Sequence, residues 1–167
     1  ARIPDALSDV DAAPLLCAGI TTFNALRHSS ASAGDLVAVQ GIGGLGHLAV
    51  QFANKMGFRT VALARGADKR PLALELGAHE YIDTAAEAPA AALQARGGAA
   101  VVLATAPSAD AVTAVIDGLR PGGQLLLVAA VLEPLPISAL ALIGARRSIQ
   151  GWPSGTAKDS EDTLAFA

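Results

Sequence analysis

Apolar residues along this chain fall into two alternating kinds of run. The first kind is short and continuous: Leu36-Val37-Ala38-Val39, Thr60-Val61-Ala62-Leu63, Ala100-Val101-Val102-Leu103 and Gln124-Leu125-Leu126-Leu127-Val128. Runs of that length and β-rich character suit strands buried on both faces. Tyr81-Ile82 is a shorter version, with Asp83 and Thr84 as turn or cap residues, and Ser148-Ile149-Gln150-Gly151 supplies a last strand. The second kind is spaced. Leu45, Leu48, Ala49, Phe52, Ala53 and Met56 share one face of a helix, as do Ala111, Val112, Val115, Ile116 and Leu119. Residues 69–76, closed by Gly77, and the Ala-rich 87–96, broken by Gly97-Gly98, read as two further helices. Residues 9–29 read as one helix capped by Ser8, with Pro14 near its first turn and a stripe of Ala12, Leu15, Leu16, Ile20, Phe23 and Leu26. Strands alternating with helices imply an α/β protein with a doubly wound parallel sheet and right-handed crossovers.

The most informative segment is Gly41-Ile42-Gly43-Gly44-Leu45-Gly46, between the first strand and the amphipathic helix. A strand, a tight turn and a helix start aim main-chain N–H groups and the positive helix end at one point, where a pyrophosphate fits. Gly41 allows the turn, Gly43 lets the backbone approach phosphates, and Gly46 lets helix and strand pack closely. The amides of Gly44 and Leu45 complete the cradle. A Gly-rich βα turn without any ligand is the competing reading. With the turn placed this way, the fold is expected to be Rossmann-type, six strands in the order 3-2-1-4-5-6, with ligand across their carboxyl ends.

Composition narrows the setting. The 167 residues suit one domain, 1–167, and 52% hydrophobic content with only 4% aromatics makes its core aliphatic. A net charge of −3 without a basic block leaves nucleic-acid binding no electrostatic footprint. One cysteine excludes an internal disulfide and suits a reducing compartment. No apolar run reaches the roughly 18 residues of a membrane span, and the start does not resemble a signal peptide. A cytoplasmic location is the resulting expectation. The chain opens without methionine and stops at Leu164-Ala165-Phe166-Ala167 inside a helical pattern, which reads as an excised fragment.

Longer stretches carry a family resemblance. Ala13-Pro14-Leu15-Leu16-Cys17-Ala18-Gly19-Ile20-Thr21, then Gly41 through Gln51, then Leu76-Gly77-Ala78, Pro121-Gly122-Gly123 and Gly151-Trp152-Pro153-Ser154-Gly155-Thr156 resemble the zinc-containing alcohol dehydrogenases of the medium-chain dehydrogenase/reductase superfamily. The likeness covers the whole chain but only the middle of a family member. It implies that the N-terminal catalytic domain and the C-terminal end are missing. Read from the residues alone, Cys17 is a small hydrophobe on an apolar helical face. The resemblance instead implies a ligand of the catalytic zinc, one of three protein ligands that leave a position for substrate oxygen. One thiolate does not hold zinc, so none is expected on this fragment. Thr21, a helical turn later, is implied to lie beside the nicotinamide; an i−4-bonded threonine is the alternative. Thr105, Ala106 and Pro107 after strand four, Val128, Ala129 and Ala130 at the end of strand five, and Gly151, Trp152 and Pro153 are implied to line the nicotinamide pocket. Many family members carry Val-Gly where this chain has Val128-Ala129. Trp152 reads equally well as plain packing, and His28, His47 and His79 are not expected to act in catalysis.

Cofactor choice turns on the end of strand two. Aligned on the family pattern, the position where an Asp or Glu would hold the adenosine ribose is Ala64, which has no carboxylate. Arg65 follows, and Lys69 matches the family lysine near that ribose. With Arg70 they could surround a 2′-phosphate, which favours NADP(H) over NAD(H); solvated turn residues, with Asp68 or water on the ribose, are the alternative. The apolar segment 132–143 is implied to pair with a two-fold mate in a homodimer or dimer of dimers, or else folds on its own core. The resulting expectation is the cofactor-binding domain of an alcohol dehydrogenase acting on a small alcohol or carbonyl compound, with no membrane or nucleic-acid partner. Zinc-independent quinone or enoyl reductases of the same superfamily, and a nucleotide-sensing module without catalysis, are the alternatives.

Overall fold

The computed structural model describes residues 2–167. Its strands are β1 (Leu36–Gln40), β2 (Arg59–Ala64), β3 (Glu80–Asp83), β4 (Ala99–Ala104), β5 (Leu119–Leu127) and β6 (Ser148–Gly151). They form one six-stranded sheet in the order β3-β2-β1-β4-β5-β6, the expected one. Every neighbouring pair is parallel, with Val37 opposite both Thr60 and Val101. Successive residues point to opposite faces, so each central strand feeds two cores. Val37, Val39, Val101 and Leu103 face one; Leu36, Ala38, Val102 and Ala104 face the other.

The helices are α1 (Asp9–Pro14), α2 (Ile20–Arg27), α3 (Gly44–Lys55), α4 (Arg70–Glu75), α5 (Pro89–Gln94), α6 (Ala109–Thr113), α7 (Ala139–Ile143) and α8 (Ala157–Phe166). α1 to α4 and α8 contribute to the first core, α5 and α6 to the second. The Phe23 and Phe52 rings meet edge to face at 5.6 Å where α2 lies on α3. Arg27 pairs with Asp159 and Asp162, which fastens α8 to α2, and the Asn24 amide donates to Ser154 O at 3.2 Å.

Three elements depart from expectation. The helical stripe from Ala111 to Leu119 stops at Thr113; Ile116–Gly118 is a 3-10 turn and Leu119 already belongs to β5. The single helix over 9–29 is broken: a π-turn, Leu15–Gly19, separates α1 from α2. Pro14, at the end of α1 rather than in its first turn, has no N–H to give, and Ile20 N–H reaches back five residues to Leu15 O. β5 begins at Leu119, five residues earlier than the apolar run suggests. Ala99 pairs with Leu119, but Val101 pairs with Gln124, so the Pro121-Gly122-Gly123 turn bulges out within the strand. A side chain on Gly123 would meet Ala99 O and Arg120 O, each at 2.9 Å, which explains the glycine there.

Charged pairs clamp the amino ends of the strands. Arg120 grips Asp35 through two hydrogen bonds of 2.7 and 3.0 Å. Arg59 and Arg96 share Glu80. The Arg120 bond, joined by the Ser32 N–H, holds the Asp35 carboxyl below its ordinary value of 3.8. The two arginines hold Glu80 below 4.5. Both groups bind protons more weakly folded than unfolded, so their stabilisation is present above those ordinary values. It is lost as pH falls through the lowered ones. Arg120→Ala should therefore cost about 1 kcal/mol or less at pH 7, the scale of half-exposed pairs, with the difference closing as pH falls below the ordinary value of 3.8 and through the lowered one. Urea unfolding at several pH values measures this; a difference unchanged by acid would contradict the clamp.

Candidate functional site

The turn after β1 is built by two glycines that nothing else could replace. Gly41 sits at φ +89°, a left-handed conformation, and a Cβ there would lie 2.8 Å from Thr105 Oγ1. A Cβ on Gly46 would lie 1.7 Å from Gly41 O, inside the main chain itself. Helix α3 and strand β1 therefore touch backbone to backbone. Thr105 secures the arrangement from β4. Its N–H donates to Gln40 O at 2.9 Å, and its hydroxyl lies 2.8 Å from both Gln40 O and Gly41 O.

Gly43 and Gly44 behave differently. No atom lies within 4 Å of a Cβ built on either. Gly43 is the N-cap of α3, and no side chain caps that end. The first-turn amides of a helix have no acceptor within it, and the helix dipole adds positive potential there. An uncapped, open, electropositive main-chain surface is what an anionic group needs.

Beside this turn lies a cavity of about 540 Å³ at the carboxyl ends of β1, β2 and β4. Gln40, Gly41, Ile42, Leu63, Ala64, Arg65, Lys69, Thr84, Pro89 and Ala106 line it, with Ser108, Asp110, Ala111 and Ala114 from the α6 side. Five of the residues singled out from sequence meet here: Gly41, Ala64, Arg65, Lys69 and Ala106. Lys69 Nζ donates to Ile42 O at 2.7 Å, tying the loop after β2 to the glycine turn. Arg65, Lys69 and Arg70 are exposed, and none pairs with a carboxylate among the described residues. The loop's shape comes from β3. Asp83 accepts from Gly66 N–H at 2.7 Å and Ala85 N–H at 2.9 Å, and Tyr81 OH donates to Gly66 O at 2.6 Å. Burial, then the charges of Asp83 and Asp68, pushes the Tyr81 hydroxyl above its ordinary 10.0, so it stays a donor. Sequence reasoning placed Tyr81 and Asp83 in a short strand and its turn, and missed that they brace this loop. It gave Gln40 no role at all, although Gln40 is the one polar residue ending an apolar strand directly before the glycines.

The remaining candidates do not line this cavity. Cys17 is exposed on the π-turn, which overturns the buried-hydrophobe reading. Thr21 is buried and donates to Cys17 O at 2.8 Å, the i−4 arrangement. Among the described residues no three metal-ligating side chains cluster. At the ends of β5 and β6, Val128 N–H donates to Ala104 O at 3.2 Å and Trp152 N–H to Leu127 O at 2.9 Å. Ala129 is half-buried, while Ala130, Gly151 and Pro153 are exposed. The Trp152 ring stacks on His28, centroids 5.2 Å apart and planes 18° from parallel, so its packing role has a definite partner. Nδ1 of His28, of His47 and of His79 each lies within 3.1 Å of a backbone group. In the 132–143 segment, Leu135, Ile137, Ala141 and Leu142 pack on the second core, while Leu132 is 92% and Leu140 77% exposed. No helix is long and apolar enough to cross a membrane among the described residues.

Comparison with known proteins fits this geometry. The family model described as zinc-binding dehydrogenase matches residues 44–167. Alcohol dehydrogenase patD of Penicillium expansum is 50% identical over 99% of this chain and 48% of its own length. The chain spans about half the length of the curated relatives it matches. A cinnamyl alcohol dehydrogenase of Sorghum bicolor superposes with a TM-score of 0.89 at 31% identity, over 99% of this chain and 47% of that one. A quinone oxidoreductase of Thermus thermophilus, solved also with NADPH, gives 0.83 at 31% identity over 100% and 56%.

The glycines separate experimentally. Gly46→Ala forces backbone apart and should cost about 1–3 kcal/mol or more, as overpacking does. Gly43→Ala, in open space at a φ of −114°, should stay within about 0.5 kcal/mol. Equal losses in urea unfolding would refute the close approach.

Proposed function

Since the chain belongs to the zinc-binding dehydrogenase family, we propose that it is the cofactor-binding domain of a zinc-dependent alcohol dehydrogenase. The intact protein moves a hydride between an alcohol carbon and a nicotinamide, with an aldehyde or ketone as the other product. The observation that carries this is the contrast within one turn: Gly41 and Gly46 sterically sealed, Gly43 and Gly44 open with uncapped amides. A pyrophosphate matches the open pair in charge and in the need for close backbone approach. When bound, the nicotinamide supplies the hydride chemistry, and the protein supplies orientation and electrostatics.

Each part of the chain then has a task. The amides of Gly43, Gly44, Leu45 and Gly46 receive the phosphates. Arg65, Lys69 and Arg70 receive a 2′-phosphate beside Ala64, where no carboxylate repels it. NADP(H) is accordingly the favoured coenzyme. Thr105, Ala106, Val128, Ala129, Ala130, Gly151, Trp152 and Pro153 face the nicotinamide end, with Thr21 near it. Cys17, exposed on its π-turn, offers one thiolate to a zinc ion whose other ligands lie outside this chain. Among the described residues no metal centre forms without those outside ligands. Leu132, Leu140 and Ile143 offer apolar surface for a second copy of the chain. A zinc-independent reductase of the same superfamily is the second reading, favoured by the likeness to the Thermus thermophilus quinone oxidoreductase; the exposed cysteine speaks against it.

Calorimetric titration of the chain with NADPH and NADH tests the reading. NADPH should bind about tenfold or more tightly than NADH, and Arg65→Asp should remove most of that preference by deleting a charge-assisted contact. Equal weakening of both coenzymes would refute the 2′-phosphate assignment. No binding of either would refute the dinucleotide site.

A further inference from the structure

Gly66 is held more firmly than its place in the chain requires. It lies just past the end of β2, where the ladder of the sheet has stopped, and its φ of +80° suits glycine. A Cβ built on it would meet no atom within 4 Å, so close packing does not fix it. Two side chains of β3 do. Asp83 Oδ1 accepts from the Gly66 N–H at 2.7 Å, and the Tyr81 hydroxyl donates to Gly66 O at 2.6 Å. Tyr81 and Asp83 alternate with Ile82 along the strand, so both side chains serve one face of the sheet. Neither anchor swings freely. The Tyr81 ring is rooted in the first core, and the same Asp83 oxygen also accepts from the Ala85 N–H at 2.9 Å.

The residue next to this clamp is Arg65. On its other side Ala64 pairs with Asp83 in the sheet, and Ala64 O accepts from the Thr84 N–H at 3.0 Å. The main chain of Arg65 is therefore fixed at both flanks. Its side chain is exposed, without a carboxylate partner among the described residues. Ala64, Arg65 and Thr84 line the cavity, whereas Tyr81 and Asp83 do not. A long side chain loses freedom when it binds an anion, and a fixed root reduces that loss. We infer that Tyr81 and Asp83 are positioning residues for coenzyme choice: by clamping Gly66 they root Arg65 where its guanidinium meets the 2′-phosphate of NADP(H). The inference rests on the 2′-phosphate reading above and adds to it two residues outside the cavity wall. NADH has no such phosphate, so the clamp does little for it. The Asp83 charge by itself opposes a nearby phosphate; what it contributes is an acceptor for two N–H groups.

Calorimetric titration of the 167-residue chain with NADPH and NADH tests this. Tyr81→Phe keeps the ring in its core and removes one tie. It should weaken NADPH about threefold to tenfold, the net worth of one hydrogen bond, and leave NADH within about twofold. Asp83→Asn and Asp83→Ala both lack the charge, and only Asn keeps an acceptor for the Gly66 N–H. The preference for NADPH over NADH should therefore be about threefold to tenfold greater in Asp83→Asn than in Asp83→Ala. A Tyr81→Phe variant that weakens both coenzymes alike, or neither, overturns the inference, because a tie serving stability alone has that result. Equal preference in the two Asp83 variants overturns it as well. Either outcome leaves the 2′-phosphate reading standing where Arg65→Asp still removes the preference. An unmodified chain that binds NADPH and NADH alike refutes that reading, and this inference with it.

Discussion

One contact organises this protein: the main chain of α3 resting directly on the main chain of the turn after β1. Gly46 has no room for even a methyl group against Gly41 O. That approach fixes where the helix begins and keeps its first amides beside the strand ends. The Thr105 hydroxyl repeats the constraint from β4, reaching two carbonyls of the same turn. Because β1 lies between β2 and β4, one locked turn sets the level of three loops at once. The cavity is the space those loops leave between them.

The bracing of the rim is as specific as the turn. Tyr81 and Asp83, on β3, hold Gly66 from both its N–H and its carbonyl. Lys69 closes the rim back onto Ile42. The cationic residues there flank a loop pinned at Gly66 and at the Arg70 N–H, which donates to Ala67 O. The other half of the sheet is less enclosed. β5 and β6 end in half-buried and exposed residues, and Cys17 faces outward. Exposed apolar groups along 132–143 lie on that same side of the sheet order.

Most of the fold was legible because a sheet buried on both faces needs uninterrupted aliphatic strands. All six appear as such runs or as short β-rich ones; their alternation with helical stripes marks a doubly wound sheet, and the glycine turn after β1 points to the order found. Boundaries were less legible. The π-turn depends on Pro14 lacking an N–H and on how Leu15 and Ile20 settle, which no periodicity reports. The early start of β5 depends on Ala99 finding Leu119 across a bulge, a pairing between residues far apart in the chain. Gly41, Arg65 and Lys69, singled out from the glycine spacing and the family resemblance, line one cavity, and Gly46 packs against Gly41. Gln40 Oε1, buried without a hydrogen-bond partner, was invisible, since that state exists only once α6 brings Ala111 O to the amide nitrogen.

The amino-acid sequence by itself determined which segments become strands, where the chain turns and where a helix start leaves its amides free. Those properties follow from local chemistry: side-chain period, backbone freedom and the free amides of a helix start. Tertiary structure alone decided which face each strand residue serves, which polar atoms end without partners and which side chains share a cavity. Such outcomes require distant segments to come within a few ångströms of each other, and a linear order of residues holds no record of that distance.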